Sequence, residues 1–209
     1  MKTFRFVILV VAMVGAIVRG VSMDGAKKAD SPKLEKATFA GGCFWCMQPP
    51  FDKAKGVVST VVGYTGGTQK NPTYEEVSSG RTGHAESIEV TFDPKMVSYE
   101  ELLDIFWMNI DPTTPNRQFA DAGTQYRSAI FYHNEDQKRL AEKSKEKLHQ
   151  SGKFDKPIVT EIVPATHFYP AEEYHQKYYL KNTAHYKAYR AGSGREGFLK
   201  KVWGDSASH

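Results

Sequence analysis

Alternation of apolar and polar residues predicts several strands along the chain. Residues 87–92 have the sequence S-I-E-V-T-F, which is the two-residue period of a strand with one buried face. Residues 57–64 are rich in β-branched side chains, which favour strands. Similar patterns predict further strands at residues 34–40, 128–133 and 158–163. Together these segments predict one sheet.

Helical periodicity and capping residues predict the helices between these strands. Ser98 is followed three residues later by Glu101, the spacing of a capping box at a helix start. The apolar stripe of that helix consists of Leu102, Leu103, Phe106 and Ile110. Asn134 caps a long, highly charged helix that extends to about residue 150. Further helices are expected at residues 43–55, where Pro49 and Pro50 fit only within the first turns, and at residues 171–181.

The order of these elements predicts the fold class. It is β-α-β-β-α-β with additions, which is typical of the split βαβ, ferredoxin-like arrangement. We therefore expect an α+β fold of two layers, with helices on one face of a mainly antiparallel sheet. Loops rich in Gly, Pro and Asn at residues 66–74 and 111–127, together with a C-terminal extension, are added to this core.

The first twenty residues differ from the rest of the chain. Lys2 and Arg5 precede an almost continuous apolar run at residues 6–18, and the small Gly20 and Ser22 follow. This layout predicts a secretory signal peptide at residues 1–20. An uncleaved N-terminal membrane anchor is the alternative, although a bilayer span needs about 20 apolar residues. We expect an exported protein, periplasmic or extracellular. It would have a flexible linker at residues 21–35, one domain at 36–204 and a tail at 205–209.

Composition and charge exclude other classes of protein. With 209 residues and a hydrophobic share of 40%, the chain can supply the core of a single domain. The formal net charge of +4 falls to +1 without residues 1–20, since that segment contains three basic residues and no acid. A nearly neutral domain gives no electrostatic basis for binding nucleic acid.

The chain has only two cysteines, Cys43 and Cys46, and they are too close in sequence to staple a fold. Cys43 follows Gly41 and Gly42 where a helix should begin, and free N–H groups at a helix start stabilise a thiolate. Cys46 is at the spacing of a redox pair. The alternatives are a buried core cysteine and half of a zinc site, but zinc needs about four ligands and no histidine has ligand spacing near the pair.

Phe44 and Trp45 lie between the two cysteines. Aromatic rings beside a reactive sulfur can hold a small apolar group such as a methyl, and sulfur–aromatic contacts favour this. Ordinary core packing is the alternative for both rings. A thioredoxin-type pair usually has a Gly-Pro spacer, whereas the spacer here is Phe-Trp.

Five short motifs, in this order, resemble those of the A-type methionine sulfoxide reductases. They are Gly42-Cys43-Phe44-Trp45, G-Y-T-G-G at residues 63–67, N-P-T-Y at 71–74, G-H-A-E at 83–86 and G-T-Q-Y-R-S at 123–128. The resemblance covers residues 36–204, essentially the whole predicted domain. One motif alone would be a weak indication, whereas the ordered set is specific.

The resemblance implies reduction of methionine S-sulfoxide, either free or within oxidised proteins. Cys43 would be the nucleophile, and Phe44 and Trp45 would hold the substrate methyl group. Cys43 would become a sulfenic acid, a reversible oxidation state. A thioredoxin-like dithiol would be the external reductant and partner, with no metal and no organic cofactor. We expect a monomer.

The resemblance also assigns four polar residues to the substrate. Glu86, Tyr74 and Tyr126 would surround the sulfoxide oxygen, and Asp121 would support the substrate site. A carboxylic acid with a raised pKa can protonate that oxygen, and tyrosine hydroxyls add oriented donors. The alternative for Glu86 is an ordinary surface acid at a strand end.

The chain departs from the family pattern in two places. Family members often carry glutamate where Gln48 stands, so we expect easier thiolate formation at Cys43. Many members carry resolving cysteines near the C-terminus, but residues 191–209 have none. We therefore predict a Cys43–Cys46 disulfide. The rival functions are an exported, thioredoxin-like disulfide oxidoreductase and a non-enzymatic binding module for methionine-rich proteins.

Overall fold

The structure, a computed structural model, describes residues 33–204. The predicted signal peptide, the linker up to residue 32 and the tail at 205–209 lie outside the described residues. Glu35, which was assigned to the linker, instead opens the first strand and pairs with Phe92.

The described chain alternates strands and helices. The strands are β1 (Glu35–Gly41), β2 (Val57–Thr65), β3 (Ala85–Phe92), β4 (Arg117–Gln118), β5 (Asp121–Ala122), β6 (Ser128–Tyr132), β7 (Glu161–Pro164) and β8 (Tyr169–Pro170). The helices are α1 (Phe44–Asp52), α2 (Tyr74–Ser78), α3 (Tyr99–Trp107), α4 (Glu135–Gln150), α5 (Tyr178–Lys181), α6 (Thr183–Gly192) and α7 (Arg195–Trp203). Short 3₁₀ turns lie at Thr124–Tyr126 and Glu173–His175.

The larger sheet has six strands in the order β7-β6-β1-β3-β2-β8. Its four central strands, β6-β1-β3-β2, pair antiparallel throughout. This is the split βαβ arrangement that the element order predicts, so the fold class is confirmed. β7 adds a parallel strand beside β6, and β8 adds a short antiparallel strand beside β2.

One face of this sheet carries the main core. Phe39 on β1 stacks on Phe51 of α1 at 5.3 Å between ring centroids and on Phe106 of α3 at 5.2 Å. Ile88 and Val90 on β3 are fully buried in the same cluster, as strand alternation requires. Burying one such side chain stabilises the fold by about 1.5–3 kcal/mol. This packing fixes α1, and therefore its first residues, against the end of the sheet.

The capping boxes determine where two helices begin. In α3 the Glu101 N–H donates to Ser98 Oγ at 3.2 Å, and the Ser98 N–H donates to Glu101 Oε2 at 2.7 Å, as predicted. Thr73 and Glu76 make a second capping box that starts α2 at the end of the loop predicted for residues 66–74. The Thr-x-x-Glu spacing is visible in the sequence, so α2 could have been predicted from it.

Two other predictions about secondary structure were wrong in detail. The strand predicted at 158–163 begins only at Glu161, because the preceding backbone is used elsewhere: the Val159 N–H donates to the Pro112 carbonyl at 2.8 Å. The helix predicted at 171–181 is broken by Lys177, whose φ of +52° is left-handed. Helices α6 and α7 were not predicted. No helix within residues 33–204 has both the length and the apolar character needed to cross a membrane.

Candidate active site

A glycine turn carries the chain from β1 into α1 and sets the position of Cys43. Gly42 has a φ of +79°, and a Cβ there would lie 2.4 Å from Gln118 Cβ. A Cβ on Gly41 would lie 2.6 Å from Met47 Sδ. Only glycine fits both positions without displacing neighbours. Cys43 therefore sits at the N-cap of α1, at the sheet edge where β1 ends and β3 begins.

The two thiols are buried, and each influences the pKa of the other. Cys43 is 6% exposed and Cys46 is fully buried. Burial raises the pKa of Cys43 well above its ordinary value, and the Cys46 contact and the Glu86 charge add to the rise. The hydrogen bond from Cys43 lowers the pKa of Cys46 to about 6, with help from Arg195 and Arg190. The pair therefore shares one proton between its two sulfurs at neutral pH, and Cys46 is the more acidic of the two thiols.

This result corrects the prediction that the helix start lowers the pKa of Cys43. The first helical N–H, from Phe44, donates to Glu86 Oε2 at 3.1 Å rather than to the Cys43 sulfur. The Cys46 N–H donates to the Cys43 carbonyl at 3.0 Å. Desolvation of Cys43 then outweighs what remains of the helix dipole.

Glu86 is a buried acid, not a surface residue at a strand end. It lies near the start of β3 opposite Tyr64 on β2, and it is 2% exposed. Burial raises the pKa of Glu86 to about 8, against the opposing effect of the Phe44 N–H. Glu86 is therefore mostly a neutral carboxylic acid at pH 7, able to donate a proton beside Cys43.

Tyr74 and Tyr126 extend the polar part of this site. Tyr74 opens α2, and Tyr126 ends the 3₁₀ turn Thr124–Tyr126; both are half-buried. Burial, followed by the Glu86 charge, raises the pKa of Tyr74 to about 12 and raises that of Tyr126 further. Both hydroxyls thus keep their protons at physiological pH.

The two aromatic residues after Cys43 differ in their surroundings. Phe44 is 1% exposed and packs against Tyr64, with ring centroids 6.0 Å apart. Trp45 is half-buried; its indole N–H donates to His175 Nδ1 at 3.0 Å, and its ring stacks on Tyr178 at 3.8 Å. Phe44 is therefore part of the core as well as of the site. Trp45 is fixed by His175 and Tyr178 but remains partly exposed to solvent.

Comparison with known proteins identifies the family. A family model described as peptide methionine sulfoxide reductase matches residues 35–207. The chain belongs to that family. The peptide methionine sulfoxide reductase MsrA of Bacillus subtilis is 59% identical over 174 residues, which cover 83% of this chain and 98% of that protein.

Solved structures agree with the family assignment. The reduced form of Mxr1 from Saccharomyces cerevisiae is 38% identical, with a TM-score of 0.69, over 74% of this chain and 88% of that chain. A structure of Mxr1 in complex with Trx2 is 29% identical, with a TM-score of 0.51, over 73% of this chain and 90% of that chain. The peptide methionine sulfoxide reductase fold thus accounts for the described domain.

In this peptide methionine sulfoxide reductase, Asp121 is held by Tyr189, a residue that the sequence did not indicate. It lies on β5 and accepts a hydrogen bond from the Tyr189 hydroxyl of α6. The Tyr189 hydroxyl also partly opposes the rise in the Cys43 pKa. No pattern in the sequence marked Tyr189 as a site residue. Tyr189, which donates to Asp121, and His175, which accepts from Trp45, join the predicted residues in the structure.

Gln48 has a structural role that the sequence did not predict. Its Nε2 donates to Thr60 Oγ1 at 3.0 Å, and its Oε1 accepts the Lys177 N–H at 2.7 Å. Gln48 thus fastens the segment before α5 to α1, and both ends of its amide are occupied away from the thiols. Among residues 33–204, no group of three or more His, Cys, Asp or Glu side chains is placed to hold a metal ion.

Proposed function

We propose that this protein reduces methionine S-sulfoxide, free or within proteins, to methionine. The observation that carries the proposal is the pairing of the Cys43 thiol with a buried carboxylic acid, Glu86, whose pKa of about 8 keeps it protonated at neutral pH. A sulfoxide sulfur becomes a good electrophile only when its oxygen is protonated or strongly hydrogen-bonded. Glu86 supplies that proton, while Tyr74 and Tyr126 donate to the same oxygen.

The first step transfers oxygen from the substrate to Cys43. The Cys43 proton moves to the Cys46 sulfur as the Cys43 sulfur attacks the sulfoxide sulfur. Glu86 gives its proton to the oxygen, the substrate S–O bond breaks, and the oxygen passes to sulfur as Cys43–SOH. Methionine leaves reduced by two electrons, and Cys43 is oxidised by the same two electrons. Trp45 and Phe44 hold the methyl group during this step.

Cys46 resolves the sulfenic acid in the second step. Its sulfur attacks the Cys43 sulfur, a Cys43–Cys46 disulfide forms, and the hydroxyl leaves as water with the Cys46 proton. The interaction between the two thiols, which lie three residues apart at the start of α1, supports this route. A thioredoxin-like dithiol then reduces the disulfide. This agrees with the Trx2 named in the yeast Mxr1 complex.

The N-terminal sequence supports activity outside the cytoplasm, as a protein cleaved near residue 20. The rival reading as a general disulfide oxidoreductase is not favoured, because such an enzyme needs no buried acid and no tyrosine donors around its cysteines.

An assay with each methionine sulfoxide epimer and dithiothreitol tests the function. The S epimer should be reduced and the R epimer left intact, and Cys43→Ser should abolish the reaction. Reduction of an insulin disulfide without reduction of either epimer would replace this function with the oxidoreductase alternative.

A further inference from the structure

Arg195, the first residue of α7, is a cation buried inside the domain. It is 1% exposed, although arginine is almost never fully buried without a partner. Its Nη2 donates to the Gly41 carbonyl at 3.0 Å, and its Nη1 donates to the Asn109 carbonyl. The guanidinium also lies 4.6 Å from the centroid of the Phe119 ring. Arg195 thus binds the backbone that leads into the Gly42–Cys43 turn.

No carboxylate forms an ion pair with Arg195 within residues 33–204. Carbonyl and aromatic contacts offset part of the free-energy cost of burying its charge, but none of the described carboxylates acts as its counter-ion. A buried positive charge of this kind favours any neighbouring group that can become an anion.

Arg195 contacts the chain on both sides of the Cys43–Cys46 segment, at the Gly41 carbonyl and at the Met47 sulfur, so the nearest groups that can become anions are these two thiols. Arg195 Nη1 lies 3.7 Å from the sulfur of Met47, the residue directly after Cys46. The charge of Arg195 lowers the pKa of Cys46, after the larger effect of the Cys43 hydrogen bond. The charged and titratable groups around Cys46 are Cys43, Glu86, Asp121, Tyr186, Arg190 and Arg195. Of the two arginines, Arg195 is fully buried and Arg190 half-buried, so solvent screens Arg195 less.

We propose that Arg195 is a positioning residue that stabilises the reduced Cys43–Cys46 pair through the Cys46 thiolate and so makes the disulfide easy to reduce. Because it needs that disulfide, this role rests on the proposed function. Forming the disulfide consumes the thiolate and leaves the buried cation without its anion. The reduced state is therefore favoured, which is the general way in which a stabilised thiolate makes a disulfide more oxidising.

The test compares Arg195→Met, which removes the charge, with Arg195→Lys, which keeps it. Lys200→Met is the matched control, because Lys200 is an exposed cation on the same helix. Each protein is oxidised chemically and equilibrated at pH 7 with a graded ratio of reduced to oxidised dithiothreitol. The ultraviolet absorbance of the thiolate is titrated in parallel on the reduced protein, and thermal melting reports the fold.

The disulfide of Arg195→Met should be about tenfold harder to reduce, equivalent to about 30 mV, and its thiolate should titrate at higher pH. Arg195→Lys should restore most of both values, and Lys200→Met should match the wild type. A folded Arg195→Met within twofold of the wild type in both measurements overturns the proposal. If Arg195→Met does not fold, Arg195→Gln is measured in its place. If neither neutral variant folds, the result counts against the proposal, because Arg195 is then needed for the fold.

Chemical oxidation separates this proposal from the proposed function. If sulfoxide turnover does not yield the disulfide in the wild type, the resolving role of Cys46 fails. The dithiothreitol equilibrium and the thiolate titration still decide whether Arg195 acts on the pair.

Discussion

Replacing Glu86 with glutamine exchanges the acidic O–H of the carboxylic acid for an amide NH2 and changes little else in the site. Gln has nearly the same shape, and its Oε1 can still accept the Phe44 N–H that now donates to Glu86 at 3.1 Å. The fold should therefore remain intact. What is lost is the acidic proton that the sulfoxide oxygen receives, since an amide N–H is far too weak an acid to replace it.

The pKa of Glu86 determines the size and the pH dependence of this loss. With a pKa of about 8, Glu86 is about nine-tenths protonated at pH 7. A general acid contributes about 10²–10⁴ in rate, so the single-turnover rate of Glu86→Gln should fall by that factor. The wild-type rate should decline as pH rises through about 8, whereas the variant should lack this decline.

The same pKa shift predicts that Glu86→Gln, although less active, is the more stable protein at alkaline pH. Burial raises the folded-state pKa of Glu86 above its ordinary value, so the native state binds more protons than the unfolded state between pH 4.5 and about 8. The stabilising contribution is full below the unfolded pKa and is lost as pH rises through about 8. Glu86→Gln should therefore be more stable than the wild type at alkaline pH.

Rapid-quench measurement of methionine released in one turnover, without reductant, gives the rate directly. Glu89→Gln is the matched control, because Glu89 lies on the same strand but is paired with Lys36 at 2.8 Å. Its rate should stay near that of the wild type. A Glu86→Gln rate within a few-fold of the wild type, or an unchanged decline near pH 8, would refute the role of Glu86 as the acid.

Three further predictions follow from burial, backbone geometry and the N-terminal sequence. Trp45→Ala should raise KM with little loss of Tm, while Phe44→Ala, in the core, should cost about 3–5 kcal/mol of stability; equal losses of Tm would contradict the difference in burial. Gly42→Ala should destabilise the protein by about 1–3 kcal/mol in urea unfolding, because its φ is +79° and Gln118 lies in the way; unchanged unfolding would remove the turn argument. Mass spectrometry of the native exported protein should find a chain beginning near Val21, and a retained residue 1–20 segment would favour a membrane anchor.

Local patterns were enough to predict the central fold. Alternation in residues 87–92 and the Ser98–Glu101 capping box both match the structure, because each depends on neighbours a few residues away. The break at Lys177 depends on distant contacts instead. There Gln176 accepts the Val62 N–H at 3.0 Å and donates to the Val62 carbonyl at 2.9 Å, which bends the chain away from a helix.

Motif resemblance was enough to choose the site residues but not their protonation states. The motifs contain Cys43 and Glu86, and the structure brings the two together. The lowered pKa of Cys46 comes first from Cys43 and then, against the opposing effect of burial, from Arg195, a residue 149 positions further along the chain. Tyr189 lies on α6, which has no buried residue, and Arg195 lies on α7, where only Arg195 and Leu199 are buried, so no run of buried apolar positions marked either helix as part of the site.

Single turnover without reductant, followed by mass spectrometry of the protein, tests the central claim most directly. Wild type and Cys46→Ser should each release about one methionine per enzyme, the Ser variant more slowly, because the oxygen passes to Cys43 while Cys46 only accepts the Cys43 proton. Only the wild type should then lose both free thiols and contain a Cys43–Cys46 disulfide, and thioredoxin should recycle the Ser variant poorly. Full-speed turnover of Cys46→Ser with thioredoxin, or a wild type that keeps its Cys46 thiol free after releasing methionine, would contradict the account.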